Sequence, residues 1–263
     1  MRLTVKLGGS ILESETSRQM LLNQAAEAVH GKTEVIIVHG GGSSLTRRLL
    51  QLGMESKFVG GLRVTDGDTL TVALGVLAGE VNKDLVRLLG SAGVRAVGLC
   101  GADAGCVRCM PLDVPESSPG NLGFVGIPDR VDRGFFDLLL SAGLTPVVAS
   151  LALGQDQQLY NVNADQMASA IAAATGSDTL VYLTDVNGVL DAAGKTIAHL
   201  RSCDIIDLRQ RGLLTGGMLP KTSACLDALA KGVKTVRILP GRVPGILTCF
   251  IGGHSTEGTS IHD

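Results

Sequence analysis

Residues 36–50 read "IIVHGGGSSLTRRLL". The β-branched run Val35, Ile36, Ile37 and Val38 predicts a buried strand, and Gly40, Gly41 and Gly42 predict the turn that ends it. Ser43 and Ser44 read as caps of a helix carrying Leu45, Leu49 and Leu50. Strand, glycine turn and helix N-terminus together present backbone N–H groups to an anion. A P-loop would follow its glycines with Lys-Ser or Lys-Thr, and neither is here. The spacing His-Gly-Gly-Gly is not G-x-G-x-x-G either, so the dinucleotide fingerprint is missing. The stretch implies an anion and leaves its cation to be found elsewhere.

Outward from this unit the pattern alternates strand and helix over short connections, which predicts βαβ units and a mostly parallel sheet. Expected strands are 3–7, 34–38, 95–99, 145–149, 179–184 and 234–238, with amphipathic stretches at 15–29, 43–52, 67–90, 132–142, 163–175, 202–212 and 220–231. The segment 103–128, with Pro111, Pro115, Pro119, Gly120 and Gly123, is dense in turn formers and predicts hairpins over the sheet. A modest break at 150–160 separates two lobes on one continuous sheet. In open α/β sheets ligands bind at the carboxyl ends of the strands, so polar residues there are the candidates.

Composition narrows the classes. The chain has 263 residues, 35 of them glycine, no tryptophan and a net charge of −2, which offers no footprint for nucleic acid or anionic lipid. No apolar run reaches the roughly 18 residues of a membrane span. "MRLTVKLGGS" enters a strand directly, without a signal-peptide pattern, and predicts a cytoplasmic protein. Cys106 and Cys109 form a C-x-x-C pair that no second pair or nearby histidine completes. The six cysteines, among them Cys100, read as reduced core and hairpin thiols.

Two lysines are candidates for the cation. Lys6 lies near the end of the first strand, before Gly8, Gly9 and Ser10, a second glycine turn able to bring N–H groups and the ammonium to one anion. An unpaired ammonium inside a strand is costly to desolvate; the alternative is an edge lysine with its stem along the surface. Lys221 falls in the first turn of a helix after Gly216, Gly217 and Pro220, where the dipole disfavours a cation by roughly 0.3–1 kcal/mol. In "LYNVNADQ", Asn163 suits an N-cap and Asp165 a first turn. Capping does not account for Asn161, and a carboxylate between two lysines would keep both charged. Arg63 sits in "FVGGLRVTD" beside a Gly-Gly turn, either an exposed hairpin residue or a fork for a carboxylate.

Taken in order, "VKLGGS", "VHGGG", "GLRVTD", "NVNADQ", "LTDVNGVL" and "GGMLPK" make the chain resemble the amino-acid kinase family, from the first strand to residue 260. "GLRVTD" with "NVNAD" is most similar to its branch acting on N-acetyl-L-glutamate. Carbamate kinase, uridylate kinase and aspartokinase share the glycine turns without that pair of motifs. The resemblance implies an α/β fold, a three-layer αβα sandwich around a mostly parallel open sheet, carbamate kinase-like. It implies a single domain, 1–263, with an N-terminal lobe of about 1–155 for substrate and dimerisation and a C-terminal lobe of about 156–263 for nucleotide. It further implies ATP-dependent phosphorylation of the side-chain carboxylate of N-acetyl-L-glutamate, an early step of arginine biosynthesis, in a homodimer.

The site residues carry over by motif. Lys6 and Lys221 would neutralise the moving phosphoryl group, with Asp165 organising them. Gly41, Gly42, Arg63, Asn161 and Asn163 would bind substrate, Arg63 at its α-carboxylate. Gly8, Gly9, Thr184, Asp185, Val186, Gly188, Leu213, Leu214 and Thr215 would lie along ATP, whose phosphates would carry Mg²⁺ without a protein metal site. "GLCGADAGCVRC" and "ILPGRVPGILTCF", with Arg242, depart from the family pattern. Family members inhibited by arginine carry an extra N-terminal helix that builds a hexamer; only "MRLT" precedes Val5 here, so a two-fold dimer insensitive to arginine is expected. The alternatives are another carboxylate or carbamate kinase of this fold and a non-catalytic nucleotide or amino-acid sensor on the same scaffold. A Rossmann-type dehydrogenase is disfavoured by the missing fingerprint.

Overall fold

The computed structural model describes residues 1–112, 122–254 and 257–263. Pro115, Pro119 and Gly120 of the turn-rich segment lie outside these. The first half of the chain comprises β1 (Arg2–Leu7), α1 (Gly9–Glu13), α2 (Glu15–His30), β2 (Glu34–His39), α3 (Gly42–Gln51), β3 (Phe58–Val59) and β4 (Leu62–Arg63). There follow α4 (Gly67–Ala73), a π-helical segment (Leu74–Val81), α5 (Asn82–Ser91), β5 (Ala96–Cys100), β6 (Val107–Pro111), β7 (Val125–Val131) and α6 (Arg133–Ser141). The second half has β8 (Thr145–Ala149), β9 (Leu151–Gly154), β10 (Leu159–Val162), α7 (Ala164–Thr175), β11 (Thr179–Thr184), β12 (His199–Arg201) and α8 (Ser202–Gln210). It closes with α9 (Met218–Ala230), β13 (Thr235–Pro240), α10 (Ile246–Ile251) and β14 (Thr259–His262).

Eight strands form the main sheet in the order β12-β14-β13-β11-β1-β2-β8-β5, parallel except where β13 meets β14. Because side chains alternate across a strand, the pleat sorts each strand between two helical layers. Leu3, Val5, Leu7, Val35, Ile37, Val181 and Leu183 join Leu21, Leu22, Leu85 and Leu89 of α2 and α5 in one apolar cluster. Ile36, Val38, Leu180 and Tyr182 join Met167, Ile171 and Ala228 of α7 and α9 in the other. This is the three-layer sandwich the sequence implied. The even residues of β1 share the α7 side of the sheet, where Thr4 bonds Ser177 at 2.8 Å and Lys6 meets α7.

The turn-rich segment does form a hairpin, β6 with β7, but β9 and β10 close it into a four-stranded barrel at the sheet edge. β9, β10, β12 and β14 are too short and mixed in composition for a period to announce them. Two readings need correction. Ser43 and Ser44 are not caps: α3 begins at Gly42, and the cap is Gly41, with φ +154° and a carbonyl that accepts from Leu45 N–H. A serine cap needs extended backbone, and this turn takes a conformation left to glycine. α9 likewise begins at Met218, which makes Pro220 its third residue rather than its first.

Gly101 joins sheet to barrel. Its N–H donates to Leu151 O at 2.7 Å, and an added Cβ would lie 2.6 Å from Val107 O and 2.8 Å from Ala152 Cα. Those neighbours are backbone and cannot rotate away. Gly101→Ala should lower unfolding free energy by about 1–3 kcal/mol through overpacking. Gly90→Ala, at an open helical site, should raise it by about 0.4–1 kcal/mol. Urea titration of both variants checks the pair; a Gly101 variant as stable as the parent overturns the packing argument.

Candidate active site

Lys6 is the fifth residue of β1, paired between Val38 and Tyr182 of its neighbours. The pleat points it toward α7, whose N-cap Asn163 accepts the N–H groups of Asp165 and Gln166. That cap fixes Asp165 in the first turn, at the carboxyl end of the strands. Lys6 Nζ lies 2.7 Å from Asp165 Oδ1, and Lys221 Nζ, from the start of α9, lies 2.9 Å from Oδ2. All three side chains are buried. Tyr182 braces the trio: its hydroxyl donates to the Asp165 carbonyl at 3.0 Å and its ring lies 5.0 Å from the Lys221 ammonium.

The electrostatics follow from that arrangement. Burial alone would raise the Asp165 carboxyl, but the two ammonium groups reverse this and hold it down to about 2. Burial pulls Lys6 below the ordinary lysine value; Asp165 opposes the fall, and the charge of Lys221 adds to it. One carboxylate thus holds two cations, of which Lys6 lines the neighbouring cavity and Lys221 does not.

A cavity of about 400 Å³ opens beside the trio, lined by Lys6, Asp165, Gly9, Gly40, Gly41, Gly42, Arg63, Asn161 and Asn163. Arg63 stands across it. The two-residue turn Gly60–Gly61, with φ +56° and +81°, closes the β3–β4 hairpin and sets Arg63 opposite Phe58, whose ring lies 4.7 Å from the guanidinium. Its nitrogens donate to Ser56 Oγ at 2.6 Å, Thr46 Oγ1 at 2.7 Å and Gly42 O at 3.0 Å. All three acceptors are neutral, so a buried guanidinium faces the cavity without a carboxylate among the described residues. Asn161 Nδ2 donates to Thr65 Oγ1 at 3.2 Å. At α3 the first-turn N–H groups have no intrahelical acceptor, and Gly42 and Ser43 of that turn line the same cavity.

The nucleotide candidates are more scattered. Gly8 gives its N–H to Leu183 O at 2.9 Å, and its Cβ would lie 2.8 Å from that oxygen. Its part is close approach of β1 to β11, and of the two glycines it is Gly9 that lines the cavity. Thr184 ends β11 beside this junction and bonds Asp185 at 3.2 Å. Val186 is exposed. Gly188 has φ +128°, and its Cβ would lie 2.5 Å from Thr259 Oγ1, so it packs against β14. Leu214 is buried and Leu213 half-buried in the apolar cluster that holds Val189, with Thr215 at the next, exposed position. None of the residues from 184 to 188 or 213 to 215 lines the cavity of Arg63.

Sequence reading gave no site role to Glu13, Ser150 or Ser43 (read there as a helix cap), which also line the cavity, or to Thr46 and Ser56, which hold Arg63. Short polar residues on helices and loops carry no distinguishing pattern. It also gave no part to His39 or Asn82, which are fully buried behind the glycine turn. Burial brings the His39 imidazole down to about 4 and keeps it neutral. Cys106 and Cys109 are buried thiols pushed up to about 12 by burial.

Asp165→Asn should cost about 3–5 kcal/mol at neutral pH, because it strands two buried ammonium groups. The acid limb gives a second signature. The folded carboxyl, at about 2, is depressed below the ordinary 3.8, so its contribution is present above pH 3.8 and lost as pH falls through 2. That amounts to about 2 kcal/mol, absent from the variant. Urea titrations between pH 7 and 2 measure both; parallel curves for the two proteins would contradict the bridge.

The sequence pattern of the amino acid kinase family matches residues 1–240. Acetylglutamate kinase of Solibacter usitatus is 46% identical over 253 residues, 96% of this chain and 96% of its own. Acetylglutamate kinase of Acidobacterium capsulatum is 44% identical over 262 residues, 99% of each chain. Among solved structures, N-acetylglutamate synthase from Neisseria gonorrhoeae, complexed with coenzyme A and N-acetyl-glutamate, superposes with a TM-score of 0.87 at 23% identity. The match covers all of this chain and 59% of that one, a likeness of fold.

Proposed function

The chain belongs to the amino acid kinase family, and we propose that it transfers the γ-phosphoryl group of ATP to the side-chain carboxylate of N-acetyl-L-glutamate, an early step of arginine biosynthesis. One observation carries the reading. A carboxylate on the wall of a cavity holds two lysines, Lys6 on that wall and Lys221 behind it, and the other wall presents an arginine that, among the described residues, is bonded to neutral acceptors. A ligand with a carboxylate at each end fits between them: Arg63 takes the α-carboxylate in a fork, and the side-chain carboxylate reaches the lysines. Carbamate has no second carboxylate to occupy Arg63. Asn161 and Asn163 supply amide groups beside the acetamido part of the ligand.

The acceptor carboxylate is ionised at neutral pH, so no general base is needed. What must be overcome is repulsion: two unit charges 4 Å apart cost about 4 kcal/mol at an effective dielectric of 20. Lys6 and Lys221 neutralise the phosphoryl oxygens, and the N–H groups of Gly41 and Gly42 add neutral donors. Catalysis is then alignment and charge stabilisation. The carboxylate oxygen forms the new P–O bond as the bond to the β-phosphate oxygen breaks, leaving ADP and an acyl phosphate. Thr184, Asp185, Val186, Gly188 and Leu213–Thr215 are proposed to lie along the nucleotide. No three His, Cys, Asp or Glu side chains among the described residues are grouped to hold a metal. Ammonium and N–H donors suit phosphate oxygens, and Mg²⁺ fits as an ion carried by the ATP phosphates, where it would offset their charge.

A homodimer joined through the N-terminal lobe is proposed as well. It is supported by Leu50 and Leu52, 75% and 57% exposed on α3 and its end, and by Leu74 at 39%. A cytoplasmic site of action fits a biosynthetic role.

Turnover of N-acetylglutamate, glutamate, aspartate and carbamate with ATP tests the substrate. N-Acetylglutamate should dominate; activity confined to carbamate, or ATP binding without turnover, would refute the reading. Lys221→Ala should lower kcat by about 100- to 1000-fold, equivalent to ~2.7–4 kcal/mol of transition-state contact, with little change in KM for N-acetylglutamate. A variant within threefold of the parent sinks the assignment. Arg63→Lys keeps charge but removes the fork, so KM for N-acetylglutamate should rise about tenfold or more while nucleotide affinity holds. Equal weakening of both ligands would make Arg63 structural.

A further inference from the structure

We infer that His39, set by Asn82, is a positioning residue that locks the Gly40–Gly41 peptide with its carbonyl turned into the protein and its N–H toward the cavity. The inference rests on the phosphoryl-transfer reading of that cavity and assigns two residues that touch no reactant.

The lock can be derived bond by bond. Val147 O can only accept, and Asn82 Nδ2 lies 2.8 Å from it; the Lys83 ammonium can only donate, and lies 3.2 Å from Asn82 Oδ1. The amide orientation of Asn82 is therefore fixed at both ends. Nδ2 also lies 3.0 Å from His39 Nε2, so Nε2 must accept. The neutral ring then carries its proton on Nδ1, which donates to Gly40 O at 2.8 Å. In a trans peptide the N–H points opposite the carbonyl, so holding Gly40 O against His39 directs Gly41 N–H the other way. That N–H has no partner among the described residues, and Gly41 lines the cavity.

A lock is needed because, among the described residues, the peptides on either side are held by Ser150 N–H on His39 O and Leu45 N–H on Gly41 O, but no other hydrogen bond holds this one. Gly40, Gly41 and Gly42 have no side chains, and glycine crosses between backbone basins at little cost. A flipped 40–41 peptide would aim a carbonyl oxygen at an anionic ligand and replace attraction by repulsion. Side-chain bulk cannot do the work at Gly41, since a Cβ would lie 2.8 Å from Leu77 Cδ2 on the π-helical segment. The backbone must be held from behind, where His39 and Asn82 are fully buried.

Two substitutions separate the donor from mere packing. His39→Asn places an amide N–H near the position of Nδ1, and His39→Gln places one near Nε2, so only the first retains a donor for Gly40 O. With N-acetyl-L-glutamate and MgATP, His39→Asn should keep kcat within about fivefold. His39→Gln should lose kcat at least roughly 20-fold while both KM values stay within about threefold. Asn82→Leu frees the tautomer and should lower kcat at least roughly tenfold; it decides the matter if His39→Gln fails to fold. A turnover-free readout uses protein labelled with ¹⁵N-glycine and titrated with inorganic phosphate. The Gly41 amide resonance should shift in the parent and in His39→Asn, but not in His39→Gln. Full kcat in His39→Gln, equal losses in both histidine variants, or a Gly41 resonance indifferent to phosphate in the parent overturns the lock. A parent that turns over no acceptor while its Gly41 resonance still responds would instead refute the kinase reading alone.

Discussion

The bridge from Asp165 to Lys6 and Lys221 is the constraint on which the site depends. It ties the middle strand of the sheet to two helices more than fifty residues apart in sequence, at the carboxyl ends of the strands. Each ammonium would be costly to bury alone. Together, without the carboxylate, they would repel. With it, each ammonium sits within 3 Å of a carboxylate oxygen, and Tyr182 closes the underside with a hydroxyl and a ring face. Alternation along β1 makes the bridge possible: a shift of one residue would send Lys6 among Leu21, Leu22 and Leu85 in the opposite layer.

Arg63 obeys the opposite rule. It too is buried, but its partners are two hydroxyls, a carbonyl and an aromatic face, none of which carries charge. Burial pulls it below its ordinary value, yet a guanidinium stays ionised so far above neutrality that the charge remains. One end of the cavity is thus electrostatically balanced in part and the other is not. A residue held by neutral bonds, with no carboxylate against it among the described residues, suits the anion contact proposed for it.

How much of this was legible depends on how each residue stands out from its neighbours. Lys6 interrupts a strand, Lys221 opposes a helix dipole, and Asn161 exceeds what capping requires, so each signals a cost that a ligand could offset. The main strands and helices were legible for a similar reason, their apolar period being strong and long. The barrel strands β9 and β10 were not, because four residues show no period. Ser43 and Ser44 misled because cap preference ignores the backbone angle of the preceding glycine. His39 and Asn82 are 43 residues apart, each inside an ordinary run, and their relation exists only once β2, α5 and β8 are packed.

Composition hides the site in another way. A chain of net charge −2 gives no hint of attraction to anions. Yet Asp165 cancels only one of the two ammonium charges beside it, and no carboxylate among the described residues bonds Arg63. Glu13 lies along the cavity as an exposed residue, where water screens its charge. The cavity lining thus carries two cations, Lys6 and Arg63, and two carboxylates, Asp165 and Glu13, with Lys221 held behind Asp165 and Asp185 also acting on Lys6, so its attraction for an anion rests on where the cations stand and not on a net positive charge. Low-dielectric walls strengthen the short-range field of each of these cations. The neutral N–H groups of the glycine turn matter in this setting because they add attraction without adding a further cation. A third lysine would have to be desolvated beside two others; a backbone donor of fixed direction raises no such penalty. That is a physical reason for the proposed phosphate-facing loop to be built of glycine with no lysine of its own, and for its cations to arrive from strands and helices elsewhere in the chain.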